Sequence, residues 1–215
     1  MQAYTIVRRL KSCHSQVGVP LSVWEIGEKD DLAIFEAGIS KVGEMEHLAK
    51  IIHPTIGVLT NIGSEHDDNF RSTDEKIAEK LKLFEGVDLF IYSKKYLQNY
   101  KGTIPGKKQF SWSLTSALSE GEGDKVIRVS LARKEGTGGY VSLSFGEGRG
   151  EAIIPFTDHS SIENAIICWV TLFAMGYQPG EASARLQKLI PVNIRLELKN
   201  GINNCSLIDD SASLD

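Results

Sequence analysis

IGVLTN at positions 56–61, TDEKIAEKLKLF at 73–84 and DLFIY at 88–92 decide the fold. The first and third runs are short and apolar, as strands buried on both faces are. The middle run repeats apolar residues at Ile77, Leu81 and Phe84, the spacing of one helix face. The same order occurs once more upstream. LAIFE at 32–36 reads as a buried strand, and residues 40–52 place Met45, Leu48, Ile51 and Ile52 at helical spacing until Pro54 stops the helix. Strands alternating with helices predict an α/β fold: a mostly parallel sheet with right-handed crossovers, flanked by helices.

The character changes near Tyr100. Residues 100–157 are Gly-rich and favour short strands at 109–112, 126–131, 140–145 and 151–155, separated by turn clusters such as SEGEGD at 119–124 and GTGG at 136–139. This predicts a small antiparallel β-subdomain within a domain spanning 1–215. SSIE at 160–163 reads as a capping box opening a strongly apolar helix that ends at Gly176. A shorter helix follows at 181–190, and CSLID at 205–209 reads as a last strand.

Bulk properties narrow the function classes. With 41% hydrophobic and 24% charged residues, the chain has the balance of an ordinary globular protein that builds its own core. The net charge is −4 and no basic stripe occurs, so nucleic acid is a poor expected partner. Cys13, Cys168 and Cys205 are odd in number and far apart, which fits neither a disulfide framework nor a zinc site. Reduced thiols in the cytoplasm are the simple expectation, with Cys168 in the core. Residues 1–10 lack the apolar core of a signal peptide, and no apolar run approaches the roughly 18 residues of a membrane span.

In open parallel sheets, ligands bind beyond the carboxyl ends of the strands. That rule selects Glu36, at the end of the first strand, and Asn61 with His66, at the end of the second. A hard carboxylate oxygen beside an imidazole suits magnesium or manganese better than zinc. By position alone, Glu36 reads equally as a helix-capping acid and His66 as a loop histidine. On the helix at 73–84, with about 100° per residue and Ile77 at zero, Lys80 falls near about 300°, at the edge of the apolar face. Lys82 falls near about 140°, Glu79 near about 200° and Lys76 near about 260°. Lys80 is thus the lysine expected to be partly out of water, either snorkelling over the core or held toward its neutral, nucleophilic form. GTIPGKK at 102–108 has one spacer too few for a phosphate loop and lacks its final Ser/Thr, so it reads as a turn.

Several segments then resemble one family in the same order along nearly the whole chain. FEAGIS at 35–40 resembles the E-x-G-x-S segment of the Mur ligases, and PTIGVLTNIGSEH at 54–66 their P-x5-T-N-I-x3-H segment. SCHSQVGVP at 12–20 resembles the substrate-side loop that follows their phosphate loop. HSSIEN at 159–164 resembles their H-x4-N adenine motif, and IRLE at 194–197 with LIDDS at 207–211 the segments that close their nucleotide site. SQVGVPLSVW at 15–24 is most similar to members that join D-alanyl-D-alanine to UDP-N-acetylmuramoyl-tripeptide, including a form fused to an alanine racemase.

The resemblance implies a Mur ligase central domain, a fold like that of phosphate-loop NTPases, using ATP and Mg2+ to make peptidoglycan precursors through an acyl phosphate. It implies that Glu36, His66 and Lys80 are catalytic and hold the metals, Lys80 as a carbamate. It implies nucleotide contacts at Asn61, His159, Asn164, Arg195 and Asp209, and a substrate loop at Ser12, His14 and Ser15. No G-x4-G-K-[ST] stretch occurs in the 215 residues, so the expectation is a fragment truncated at its N-terminus and inactive alone. A folylpolyglutamate synthase-like ligase, or a non-enzymatic module keeping the fold, are the alternatives. Losing an internal strand would expose a sheet edge, which predicts a homodimer through that edge.

Overall fold

The computed structural model describes residues 4–8, 15–114, 126–133, 141–146, 150–190, 197–200 and 205–209. The elements run β1 (Ile6–Arg8), α1 (Gly18–Val23), β2 (Leu32–Ile34), α2 (Glu44–Ile52), β3 (Ile56–Leu59), α3 (Thr73–Lys82), β4 (Leu89–Ser93) and α4 (Lys94–Leu97). They continue with β5 (Lys108–Leu114), β6 (Val126–Arg133), β7 (Val141–Phe145), β8 (Gly150–Ile154), α5 (His159–Ala174), α6 (Pro179–Leu186), β9 (Glu197–Asn200) and β10 (Ser206–Asp209).

Six strands form one mixed sheet in the order β3-β4-β5-β6-β7-β8. β3 to β6 pair in parallel, and β6 to β8 pair antiparallel. The antiparallel pairing expected for residues 100–157 is therefore present, but these strands extend the parallel sheet and do not form a sheet of their own. The reason lies in β5, which pairs in parallel with β4, from Lys108 opposite Leu89 to Trp112 opposite Ser93, and with β6, from Ser111 opposite Val126 to Leu114 opposite Val129. The expected pairing of the first two strands is also corrected. β2 pairs in parallel with β1, a strand the sequence reading missed, and belongs to a separate two-stranded sheet. A three-residue strand carries too little periodicity to be seen by pattern. β9 and β10 form a third, antiparallel pair.

Two apolar clusters hold the described residues together. One lies between α5, α6 and the sheet, around Ile91, Trp112, Ile127, Leu143, Ile154, Ile166 and Trp169. There the Trp169 ring stacks at 3.8 Å on Phe145 and at 5.3 Å on Phe173, and its Nε1 donates to Ser183 Oγ at 3.1 Å. The other joins α1, α2, α3 and β3–β4 through Val19, Met45, Leu48, Leu59, Ile77, Leu81 and Phe90. Gly57 is needed here: a Cβ would come within 2.5 Å of the Phe84 ring.

Local details correct three further expectations. α5 is capped by Asp158, whose carboxylate accepts from Ser161 N at 2.8 Å, and not by Ser160. Glu163, expected to complete the cap, is buried and turned toward α4. Cys168 lies on the exposed side of α5, because the apolar helix buries only the face that meets the sheet. The 102–108 stretch is a turn leading into β5, as expected. Gly106 has φ +96 there, and a Cβ would meet Phe90 Cβ at 2.7 Å. No helix among the described residues is long and apolar enough to cross a membrane.

Candidate functional site

β3 and β4 run parallel, with Leu59 opposite Tyr92, so their carboxyl ends lie on the same edge of the sheet. The chain leaving β3 carries Asn61 and His66, both exposed. Asp67–Asn69 form a single short helical turn whose first flank is His66, at φ 59 and ψ 20. A left-handed backbone in a non-glycine residue costs on the order of 1–3 kcal/mol and persists only where its surroundings enforce it. α3 starts just beyond. Ser72 Oγ accepts from Glu75 N at 3.1 Å, and the Glu75 carboxylate accepts from Arg71 N at 2.6 Å.

α3 then delivers Lys80. Its ammonium lies 3.5 Å from the Asn61 carbonyl oxygen. Burial first, and then the neighbouring Lys76 ammonium, pull Lys80 below the ordinary lysine range, while Glu65 opposes them. Lys82 lies outside this environment: it pairs with Glu79 at 2.6 Å, and that bond holds its ammonium above the ordinary value. The structure thus brings Lys80 and Asn61 together, on the edge that carries His66. Glu36 is exposed in the segment after β2, the strand of the separate two-stranded sheet.

A second group lies where α5 meets the chain leaving β4. Glu163 accepts from Tyr96 Oη at 2.9 Å and from Lys95 Nζ at 3.5 Å, and His159 Nδ1 lies 3.7 Å away. Burial, reinforced by the Glu163 bond and charge, pushes the Tyr96 hydroxyl up to about 12. His159 and Asn164 are exposed at this end of α5. Ser15 is exposed ahead of α1, with its Oγ accepting from Gly18 N at 3.0 Å. Asp209 closes β10 opposite Glu197 of β9. Ser12, His14 and Arg195 lie outside the described residues.

The helix wheel missed two charged residues that matter to this geometry. Lys76 and Glu79 are each 2% exposed. They face neither the sheet nor water, because the loop after β3 covers one flank of α3 and the start of α2 covers the other. Glu79 accepts from Gly43 N at 2.6 Å, ahead of α2. Periodicity carries no signal for burial by a loop. Among the described residues, no three His, Cys, Asp or Glu side chains converge to hold a metal ion. Such a donor set does not make a protein-only cage. A magnesium ion keeps much of its shell as water and phosphate and takes only one or two protein carboxylates, so it requires no such cage.

Residues 2–172 match the Mur ligase middle domain. The chain belongs to the Mur ligase middle-domain family. The UDP-N-acetylmuramoyl-tripeptide–D-alanyl-D-alanine ligase of Bacillus subtilis is 25% identical over 203 residues, covering 92% of this chain and 42% of that protein. The ligase of the same name from Borreliella burgdorferi is 32% identical over 89 residues, 41% of this chain and 19% of that protein. Among solved structures, MurF from Acinetobacter baumannii superposes with a TM-score of 0.69 at 19% identity, covering 96% of this chain and 44% of that one. MurF from Thermotoga maritima, solved with ADP, gives 0.69 at 15% identity over 93% and 45%. This Mur ligase middle domain thus spans less than half the length of the relatives it matches.

Proposed function

We propose that this Mur ligase middle domain supplies the metal, lysine and adenine side of an ATP-dependent peptide ligase that adds D-alanyl-D-alanine to UDP-N-acetylmuramoyl-tripeptide in the cytoplasm. The observation that carries the reading is Lys80, half-buried, depressed in pKa and 3.5 Å from the Asn61 carbonyl at the end of a parallel strand. In this reaction the tripeptide carboxylate takes the γ-phosphoryl group of ATP and ADP departs. The amine of D-alanyl-D-alanine then attacks the acyl phosphate, loses a proton, and phosphate leaves as the amide forms. Magnesium, when bound, neutralises charge on the transferring phosphoryl group.

The chain's own residues take the following roles. Glu36 and His66 are the metal-side ligands. Lys80 in its neutral form adds through Nζ to CO2, forming an N–C bond and releasing a proton. The resulting carbamate is an anion where an ammonium stood, and its oxygens are hard ligands. Desolvation and the Lys76 charge favour that neutral form. His159 and Asn164 face the adenine, Asn61 adjoins the nucleotide, Arg195 meets phosphate and Asp209 the ribose side. Ser12, His14 and Ser15 line the peptide substrate. The 215 residues contain no G-x4-G-K-[ST] loop, so the backbone cradle for the β- and γ-phosphates must come from outside them.

The test is a chimera in which this domain replaces the matching part of a D-alanyl-D-alanine-adding relative that keeps its own phosphate loop. ADP release should require both the tripeptide and D-alanyl-D-alanine, while the 215-residue chain alone releases none. Lys80→Ala or His66→Ala should cut the rate by about 100-fold or more, the scale of losing charge stabilisation in a transition state. Intact-mass analysis should show a gain of about 44 Da on the chimera, absent from Lys80→Ala, as addition of CO2 to a neutral amine requires. Chimeric turnover that survives both substitutions would contradict the reading.

A further inference from the structure

Lys76 is a buried cation whose charge acts on Lys80 but whose own bonds none of the roles above uses. Its ammonium donates to the carbonyl oxygen of Gly63 at 2.7 Å, to that of Glu65, and to Asp67 Oδ1 at 2.7 Å. Three donors meet three acceptors, so the group is fully satisfied. All three acceptors belong to the loop that leaves β3, and they bracket His66 on both sides. The Phe70 ring lies 5.9 Å from the same ammonium, at the far end of the loop. The loop's own backbone bonds are short-range: Asp67 N donates to Ser64 O at 3.2 Å, Asn69 N to His66 O at 3.0 Å and Phe70 N to Asp67 O at 3.0 Å.

The physics makes this contact hard to release. If the loop moved away, the 2% exposed ammonium would lose its acceptors, and a buried charge without partners is costly. The left-handed backbone of His66 needs enforcement from its surroundings, and Lys76 supplies bonds on either side of it. Lys80 sits one turn further along the same rigid helix.

We propose that Lys76 is the positioning residue that fixes His66 beyond the carboxyl end of β3, clamping the surrounding loop onto α3. Through it one helix sets the places of both His66 and Lys80. The clamp stands on geometry alone, and its functional consequence rests on the metal role proposed for His66.

The experiment compares the full 215-residue chain with Lys76→Met, which keeps the aliphatic stem and removes the ammonium, and with His66→Ala. Two quantities are read: amide hydrogen exchange along the chain, and Mn2+ affinity in the presence of ADP. In Lys76→Met, amides 63–69 should exchange faster by about tenfold or more, the scale of losing charge-assisted bonds, while those of β4 and α5 keep their rates. Mn2+ affinity should fall by about tenfold, as for loss of a partner that orients a ligand. Wild-type exchange at 63–69 in folded Lys76→Met would overturn the clamp. If His66→Ala binds Mn2+ as well as wild type, the metal role of His66 fails, while the exchange result still decides the clamp. If Lys76→Met does not fold, Asp67→Ala removes the exposed end of the same clamp. Exchange at 64–68 that rises by about threefold, in line with an exposed ion pair, supports the proposal, and an unchanged rate overturns it.

Discussion

α3 and α5 both pack against the six-stranded sheet, and they do so by opposite means. α5 buries an almost wholly apolar face, with Ile162, Ala165, Ile166, Trp169 and Val170 against the sheet and one buried charge, Glu163, near its start. α3 buries Ile77 and Leu81 together with two charges, Lys76 and Glu79. The apolar face of α5 is non-directional: it holds two layers together but does not dictate where a loop lies. The buried charges of α3 are directional and name their partners, the loop carrying His66 on one side and Gly43 ahead of α2 on the other. One helix supplies cohesion; the other supplies position for the edge that carries the candidate site.

Substitutions should separate these two kinds of helix, and the largest effect belongs to α5. Trp169→Ala removes a buried ring stacked between two others and should destabilise the protein globally by about 3–5 kcal/mol, read by urea denaturation. Glu79→Ala leaves Gly43 N–H without its acceptor and should cost about 1–3 kcal/mol, with faster exchange confined to the start of α2. Equal, uniform loosening in both variants would erase the distinction between the helices.

Smaller effects sharpen the same contrast at the ends of α5. Asp158→Ala removes the cap and should cost about 1 kcal/mol. Burial pushes the Asp158 carboxyl up, but the Ser161 bonds outweigh it and hold the group below its ordinary value. Its contribution is therefore complete above the unfolded carboxylate value of about 3.9 and is lost as pH falls through the lower folded value. Asp158→Ala should flatten that part of the acid unfolding profile. Tyr96 gives the opposite sign. With its hydroxyl raised from 10.0 to about 12, its share of stability is whole below 10 and drains away as pH climbs toward 12. Tyr96→Phe should remove that alkaline slope, and a slope that persists would assign it to other groups.

The sequence revealed most where chemistry is local and periodic. The runs at 56–61, 73–84 and 88–92 became β3, α3 and β4, because short apolar runs and a repeating apolar face are each written in consecutive residues. Lys80 was separable from Lys82 by the same wheel. β1, α1, α4 and β9 were missed because elements of three to six residues carry little pattern. The buried state of Lys76 and Glu79 was illegible for a different reason: it depends on a loop and a helix start packing against the flanks of α3, contacts that no periodicity encodes. The partner of β2 was likewise a tertiary choice, made by β1 and not by the next strand in sequence.

On the function proposed above, the carboxyl ends of β3 and β4 form the metal and nucleotide edge of this domain. Paramagnetic broadening of backbone amides by Mn2+ with ADP tests it most directly. Broadening concentrated at residues 61–69, around Lys80 and beside Glu36, with α6 and β7 spared, is the predicted result. Broadening that is uniform, or strongest away from that edge, would contradict the account.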